Sequence, residues 1–130
     1  NYARPGHRSL HNQAYWAGSD YLGLGPGAVS TIDGTRSTNL KDTATYTSRW
    51  LASDPPTQDH ETIDDTASLI ERIALGLRRS EGIHLDLLPA APLAELFDAG
   101  FIEIHEDNAI LTTRGKHLAD PVIAHLVDAI

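Results

Sequence analysis

The chain has 130 residues, 41% of them hydrophobic, no Cys, no Met, and eighteen acids against ten bases for a net charge of −8. That length holds one domain, or two very small ones, with a buried core. Without Cys the chain itself cannot form disulfides, thiolate zinc sites or iron–sulfur ligation, and its acidity disfavours sequence-independent nucleic-acid binding, which needs Lys and Arg to neutralise phosphates.

Residues 1–9 are polar and carry the turn dipeptide Pro5-Gly6; Asn1-Tyr2-Ala3 reads as the end of a strand. The opening segment has no apolar run of a signal peptide, and with no Met in the chain it reads as part of a longer protein. No window approaches the roughly 18 apolar residues of a membrane span. The lack of Cys is compatible with the cytosol, and a cytoplasmic location is expected. Residues 11–17 suit a short helical turn, with Asn12 as N-cap. Tyr21-Leu22 leads into Gly23-Leu24-Gly25-Pro26-Gly27. Ala28 to Ile32 alternates as a strand, Asp33-Gly34 is a hairpin signal, and Thr35 to Asn39 returns as a polar, edge-like strand. A helix is expected over 42–52, with Ala44, Tyr46 or Thr47, Trp50 and Leu51 inward. Ser53-Asp54-Pro55-Pro56 stops it, and the polar residues 53–61 read as a linker between a first region, 1–52, and a second, 62–130.

The second region is more regular. Thr62-Ile63-Asp64-Asp65 resembles a capping box ahead of a helix to about Arg79. A further helix spans Leu85 to Ala99, with Leu88, Leu93, Leu96 and Phe97 inward and Gly100 at its C-terminal end. Phe101 to His105 and Ala109 to Thr112 form a hairpin, and Thr113 caps a last helix with Leu118, Val122, Ile123, Leu126, Val127 and Ile130 inward; Pro121 kinks or restarts it. Helix, helix, hairpin, helix is the outline of a winged-helix-like module. Its second helix has no Lys or Arg and its wing tip is Glu106-Asp107, which argues against DNA contact.

Two groups carry candidate chemistry. Gly23-x-Gly25-x-x-Ala28 matches a dinucleotide fingerprint in letters, but no strand body precedes it and β-formers follow where a helix is required. It reads as a tight turn, or as backbone left uncovered to approach a ligand. His11 with Tyr15 and Trp16 offers an imidazole for a metal or haem iron and two rings for a flat ligand; the same residues also read as a hydrogen-bonded histidine beside core aromatics. The remaining histidines show no metal-ligand spacing.

Read together, Asn1-Tyr2-Ala3-x-Pro5-Gly6, His11-Asn12-x-x-Tyr15-Trp16, Tyr21-Leu22-Gly23-x-Gly25-Pro26-Gly27-Ala28-x-Ser30 and Arg36-x-x-Asn39 resemble the radical-SAM family of oxygen-independent coproporphyrinogen III oxidase and its haem-chaperone (HemW-type) relatives. Gly76-Leu77-Arg78, Leu111-Thr112-x-x-Gly115 and Asp120-x-x-Ile123 fit that family's small C-terminal domain. The resemblance implies an α+β chain: the last strands of a partial β/α barrel, then a helical, winged-helix-like C-terminal domain. It implies S-adenosyl-L-methionine and a [4Fe-4S] cluster in the parent, the cluster cysteines lying outside this chain, which alone is then not catalytic. Ala3, Gly23, Gly25 and Val29 would line the S-adenosylmethionine pocket. His-Asn-x-x-Tyr-Trp points to the haem-chaperone branch, with His11 as a haem contact beside Tyr15 and Trp16. Haem or a porphyrinogen, and haem-receiving proteins, are the expected partners. A true porphyrinogen oxidase and a winged-helix interaction module are the alternatives.

Overall fold

The computed structural model describes residues 3–4 and 6–130, so Asn1, Tyr2 and Pro5 of the expectations above lie outside the described residues. The chain is α+β, with six α-helices and two three-stranded antiparallel sheets among those residues. It divides into two compact units: Ser19–Asp64, and Asn1–Gly18 together with Asp65–Ile130. Residues 6–18 group with residues 65–130, and within the expected linker Thr57–Thr62 is a strand.

The unit Ser19–Asp64 is built on strands β1 (Val29–Ile32), β2 (Thr35–Asn39) and β3 (Thr57–Thr62), in the order β1-β2-β3, and one helix, α2 (Thr43–Leu51). Asp33 and Gly34 both take positive φ, 49° and 71°, the conformation a two-residue hairpin demands, and so join β1 to β2. The returning strand is central, not the edge suggested by its polarity: β3 pairs along its other side, from Thr35↔Thr62 to Asn39↔Thr57, with an irregularity at Thr38/Asn39. Thr-Gln-Asp-His-Glu-Thr carries no alternating apolar residues, which is why β3 reads as a linker in the sequence. Asp42 caps α2 by accepting from the Thr45 N–H at 2.8 Å. The Thr45 hydroxyl also bonds that carboxylate, and these bonds hold the Asp42 pKa below its usual value. The inward face expected for α2 is not buried. Trp50 is 57% and Leu51 84% exposed, and Trp50 makes an edge-on ring contact with Tyr46 instead.

The other unit holds the hydrophobic core. Helix α1 (Leu10–Trp16) is followed, after the excursion of 19–64, by α3 (Asp65–Gly76), β4 (Ile83–His84), α4 (Ala90–Asp98), the hairpin β5 (Ile102–His105) and β6 (Asn108–Leu111), and helices α5 (Thr113–His117) and α6 (Ala119–Val127). The sheet order is β4-β6-β5. The core is a single cluster: Ile73 and Leu77 from the α3 end, Ile83, Leu88, Leu96, Ile102, Ala109, Leu111, and Val122, Ile123 and Leu126 of α6. Hydrophobic burial of this set is the main force holding the unit.

Three helical expectations shift for local reasons. Ser9, not Asn12, caps α1. The helix expected over 85–99 is a 3₁₀ turn, Leu85–Leu87, and then α4. Leu88 and Pro89 are extended, because Pro89 disfavours α conformation in the residue before it. Phe97 and Leu118 of the expected inward sets are about half exposed, as is Ile130, while Leu96, Val122, Ile123 and Leu126 are buried as their spacing required. The last helix restarts: α5 ends at His117, and Pro121 sits in the first turn of α6, where no intrahelical N–H is needed.

Candidate functional site

The glycine loop of residues 23–28 is fixed by its own unit. The Gly23 N–H donates to the Ser30 hydroxyl at 3.0 Å, and the Gly25 N–H donates to the Tyr46 hydroxyl at 3.2 Å. The Asn39 side-chain amide donates to the carbonyls of Gly23 (3.3 Å) and Gly25 (3.0 Å). Gly27 N–H reaches the Leu40 carbonyl at 2.9 Å. A Cβ at Gly23 would lie 2.3 Å from the Val29 carbonyl oxygen, so only glycine fits there. Gly25 has φ +109°, a region open to glycine. Strand β1, not a helix, follows the loop, so the arrangement is not that of a dinucleotide fold. The loop backbone is therefore engaged internally at both expected glycines. Leu22, Leu24 and Pro26 are exposed, Leu24 at 80%, and Val29 is half-buried.

Sequence reasoning gave Ser30 and Asn39 places in a motif but no role, and gave Tyr46 only a helix face. Their role is to clamp the loop. No periodicity announces it, because each reaches the loop from a different element.

In the other unit, α1 presents two stripes. Ser9, Asn12, Gln13 and Trp16, spaced three and four residues apart, line a cleft of about 850 Å³, which Ala3 also borders. His11 and Tyr15, four apart, form a neighbouring stripe that is exposed and outside the cleft lining. The three expected haem contacts thus fall on different sides of one helix. Ala3 belongs to the unit of α1, and Gly23, Gly25 and Val29 to the other.

The opposite wall of the cleft comes from the turn after α3 and from α5: Arg78, Arg79, Glu81 and Lys116. Arg8 of the first wall pairs with Glu81 of the second. Hydrogen bonding from the Arg8 guanidinium is the chief reason the Glu81 carboxyl lies below the usual carboxylate range. Arg79 Nε stands 3.7 Å from the other Glu81 oxygen, and Arg78 bonds Asp120 at 2.5 Å and the Ala74 carbonyl. In the sequence, Arg78 and Arg79 stand only at the expected end of a helix. Their convergence with Arg8 and Lys116 needs the fold.

Histidines elsewhere meet single carboxylates: His125 with Glu95 at 2.8 Å, His84 with Asp86 and His105 with Glu103 at 3.4 Å. Among the described residues no three His, Asp or Glu side chains are grouped to hold a metal ion, and no helix is long and apolar enough to cross a membrane.

No protein-family model matches the chain. Over 98% of its length it is 36% identical to a protein named heme chaperone HemW from Mycobacterium tuberculosis, of which it covers 33%. It is 35% identical to one of the same name from Synechocystis sp., over 85% of this chain and 30% of the relative. The chain therefore spans about one third of the length of the curated relatives it matches. Coproporphyrinogen III oxidase (HemN) from Escherichia coli, a radical SAM enzyme, matches its fold with a TM-score of 0.70 over 98% of this chain and 36% of that one, at 18% identity. Similarity along nearly the whole sequence to the HemW relatives, and a fold shared with HemN, place this chain in the HemW/HemN-type radical-SAM family.

Proposed function

We propose that the chain is the C-terminal portion of a radical-SAM, haem-chaperone protein that binds haem and passes it on, acting in the cytoplasm. The observation that carries this reading is the 36% identity across 98% of the chain to a protein named heme chaperone. The last part of a partial β/α barrel is then residues 1–52, whose sheet lies in the unit of residues 19–64. Their exposed Leu22, Leu24, Trp50 and Leu51, with no buried apolar core of their own, suit a sheet that the rest of a barrel covers. The helices α3 and α4, the β5–β6 hairpin and α6 form the winged-helix-like domain.

S-adenosylmethionine and a [4Fe-4S] cluster belong to the parent and would supply its one-electron chemistry; without Cys this chain holds none of the cluster ligands. Its contribution to the cofactor pocket is the glycine loop. Since Gly23 and Gly25 spend their backbone groups on Ser30, Asn39 and Tyr46, the loop acts as a rigid wall whose shape, with Val29, is what a ligand would meet. For haem, α1 offers His11 as an exposed imidazole with Tyr15 one turn on, and Trp16 toward the cleft.

Titration of the full-length protein with haem, followed at the Soret band, tests the reading. Binding is expected, weakened in His11→Ala. Binding unchanged in His11→Ala removes that residue from the role. Absence of haem binding by the wild type, with decarboxylation of coproporphyrinogen III by the reconstituted protein, replaces the chaperone reading with that of a true oxidase.

A further inference from the structure

In a chain of net charge −8, four of the ten Lys and Arg residues line one cleft: Arg8, Arg78, Arg79 and Lys116. One of the eighteen acids, Glu81, lines it with them. The cations come from three separate stretches, so their convergence is a product of the fold and not of a local basic run. Trp16 supplies apolar surface in the same wall set, and the volume of about 850 Å³ lies in the range of cofactor sites, roughly 300–1,000 Å³. Arginine forks match carboxylates in a bidentate way, and an indole face suits a flat ring.

We propose that this cleft is a carboxylate-binding site whose ligand class is a planar polycarboxylate, a tetrapyrrole carrying free propionates. The choice of a tetrapyrrole rests on the haem-chaperone reading; the anion site rests on the cleft. Arg79 and Lys116 are the cations that receive the propionates. Arg78 is anchored on Asp120 and the Ala74 carbonyl, Arg8 is hydrogen-bonded to Glu81, and Arg79 stands looser, 3.7 Å from the same carboxylate. Glu81 is then the internal competitor: its carboxylate occupies the position a ligand carboxylate takes, and a propionate displaces it. The site lies on the Trp16 stripe of α1, separate from the His11 stripe.

The test titrates the full-length protein with haem and, in parallel, with haem dimethyl ester, whose esterified propionates carry no charge. Wild type binds the free acid about tenfold more tightly than the ester, the scale of one or two charged hydrogen bonds. Arg79→Gln with Lys116→Gln abolishes that preference and leaves ester affinity unchanged. Glu81→Gln, which frees Arg8, strengthens free-acid binding. The preference shrinks with added salt without any substitution. His11→Ala leaves the ratio of the two affinities unaltered. Equal binding of acid and ester by the wild type, or an unchanged ratio in the double variant, overturns the proposal while leaving haem binding itself established. If the wild type binds neither form, the haem reading fails and the tetrapyrrole assignment with it.

Discussion

Replacing Gly115 by Ala tests how α5 is docked. In an exposed helix such a change stabilises by about 1 kcal/mol, because Ala is the better helix former. At Gly115, which is buried, the added Cβ would lie 2.0 Å from the Phe101 carbonyl oxygen and 3.2 Å from a Leu111 methyl. The first of these is backbone and cannot rotate aside. That carbonyl also accepts from the Thr112 N–H at 3.0 Å and the Thr112 hydroxyl at 3.2 Å, and the same hydroxyl caps α5 by accepting the Gly115 N–H at 3.0 Å. Relieving the clash pushes α5 away from β5 and strains these bonds together. Overpacking costs about 1–3 kcal/mol and each weakened hydrogen bond about 1. After the gain in helix propensity, a net loss of about 2 kcal/mol remains. Urea unfolding of the full-length protein, with hydrogen exchange read at the β5–β6 amides, measures it. Gly100→Ala is the control: its φ of +73° gives strain but its Cβ would meet nothing within 4 Å, so it costs less. A Gly115→Ala variant as stable as the wild type, or more so, would refute the reasoning.

Asn39→Asp should destabilise the glycine loop more than Asn39→Ala. Both lose the donor that holds the Gly23 and Gly25 carbonyls, and Asp adds a negative charge facing them; exchange at the Gly25 amide reports the order. Thr31→Val should be neutral or raise stability by up to about 1 kcal/mol in urea unfolding, since the Thr31 hydroxyl is buried with no hydrogen-bond partner among the described residues and valine keeps the shape. The lowered pKa of Glu81 means that its ionised form stabilises the fold above the unfolded value of 4.5, and that this contribution is lost as pH falls through the folded pKa below it. Glu81 and Arg8 are about half exposed, so the difference between wild type and Glu81→Gln should be well under 1 kcal/mol, visible as a pH dependence confined to the acid range.

The second half was legible because burial there follows period. Ile73 and Leu77, Leu96, and the Val122, Ile123 and Leu126 set sit where helical spacing puts them, and the β5–β6 hairpin follows its alternating residues. Residues 53–62 were not legible. The strand β3 has no apolar face, and its pairing with β2 is carried by backbone groups that composition does not reveal. The same holds for the candidate site. His11, Tyr15 and Trp16 stand out as residue types, but which of them share a side of α1 depends on where the helix docks. The loop glycines were evident as a turn, whereas the claim of Asn39 and Tyr46 on their backbone is a tertiary fact.

Helix α1 has seven residues and none of them is buried. A helix that short does not persist by itself in water, so its order comes from what it rests against. It is therefore among the segments that open at low free energy while the Ile73–Leu126 core stays closed. A molecule bound in the cleft touches the Asn12, Gln13 and Trp16 stripe and so favours the docked helix over the frayed one. By linkage, occupancy of the cleft and helicity of residues 10–16 report on each other. The backbone amides of α1 then become a readout of binding for ligands that carry no chromophore at all.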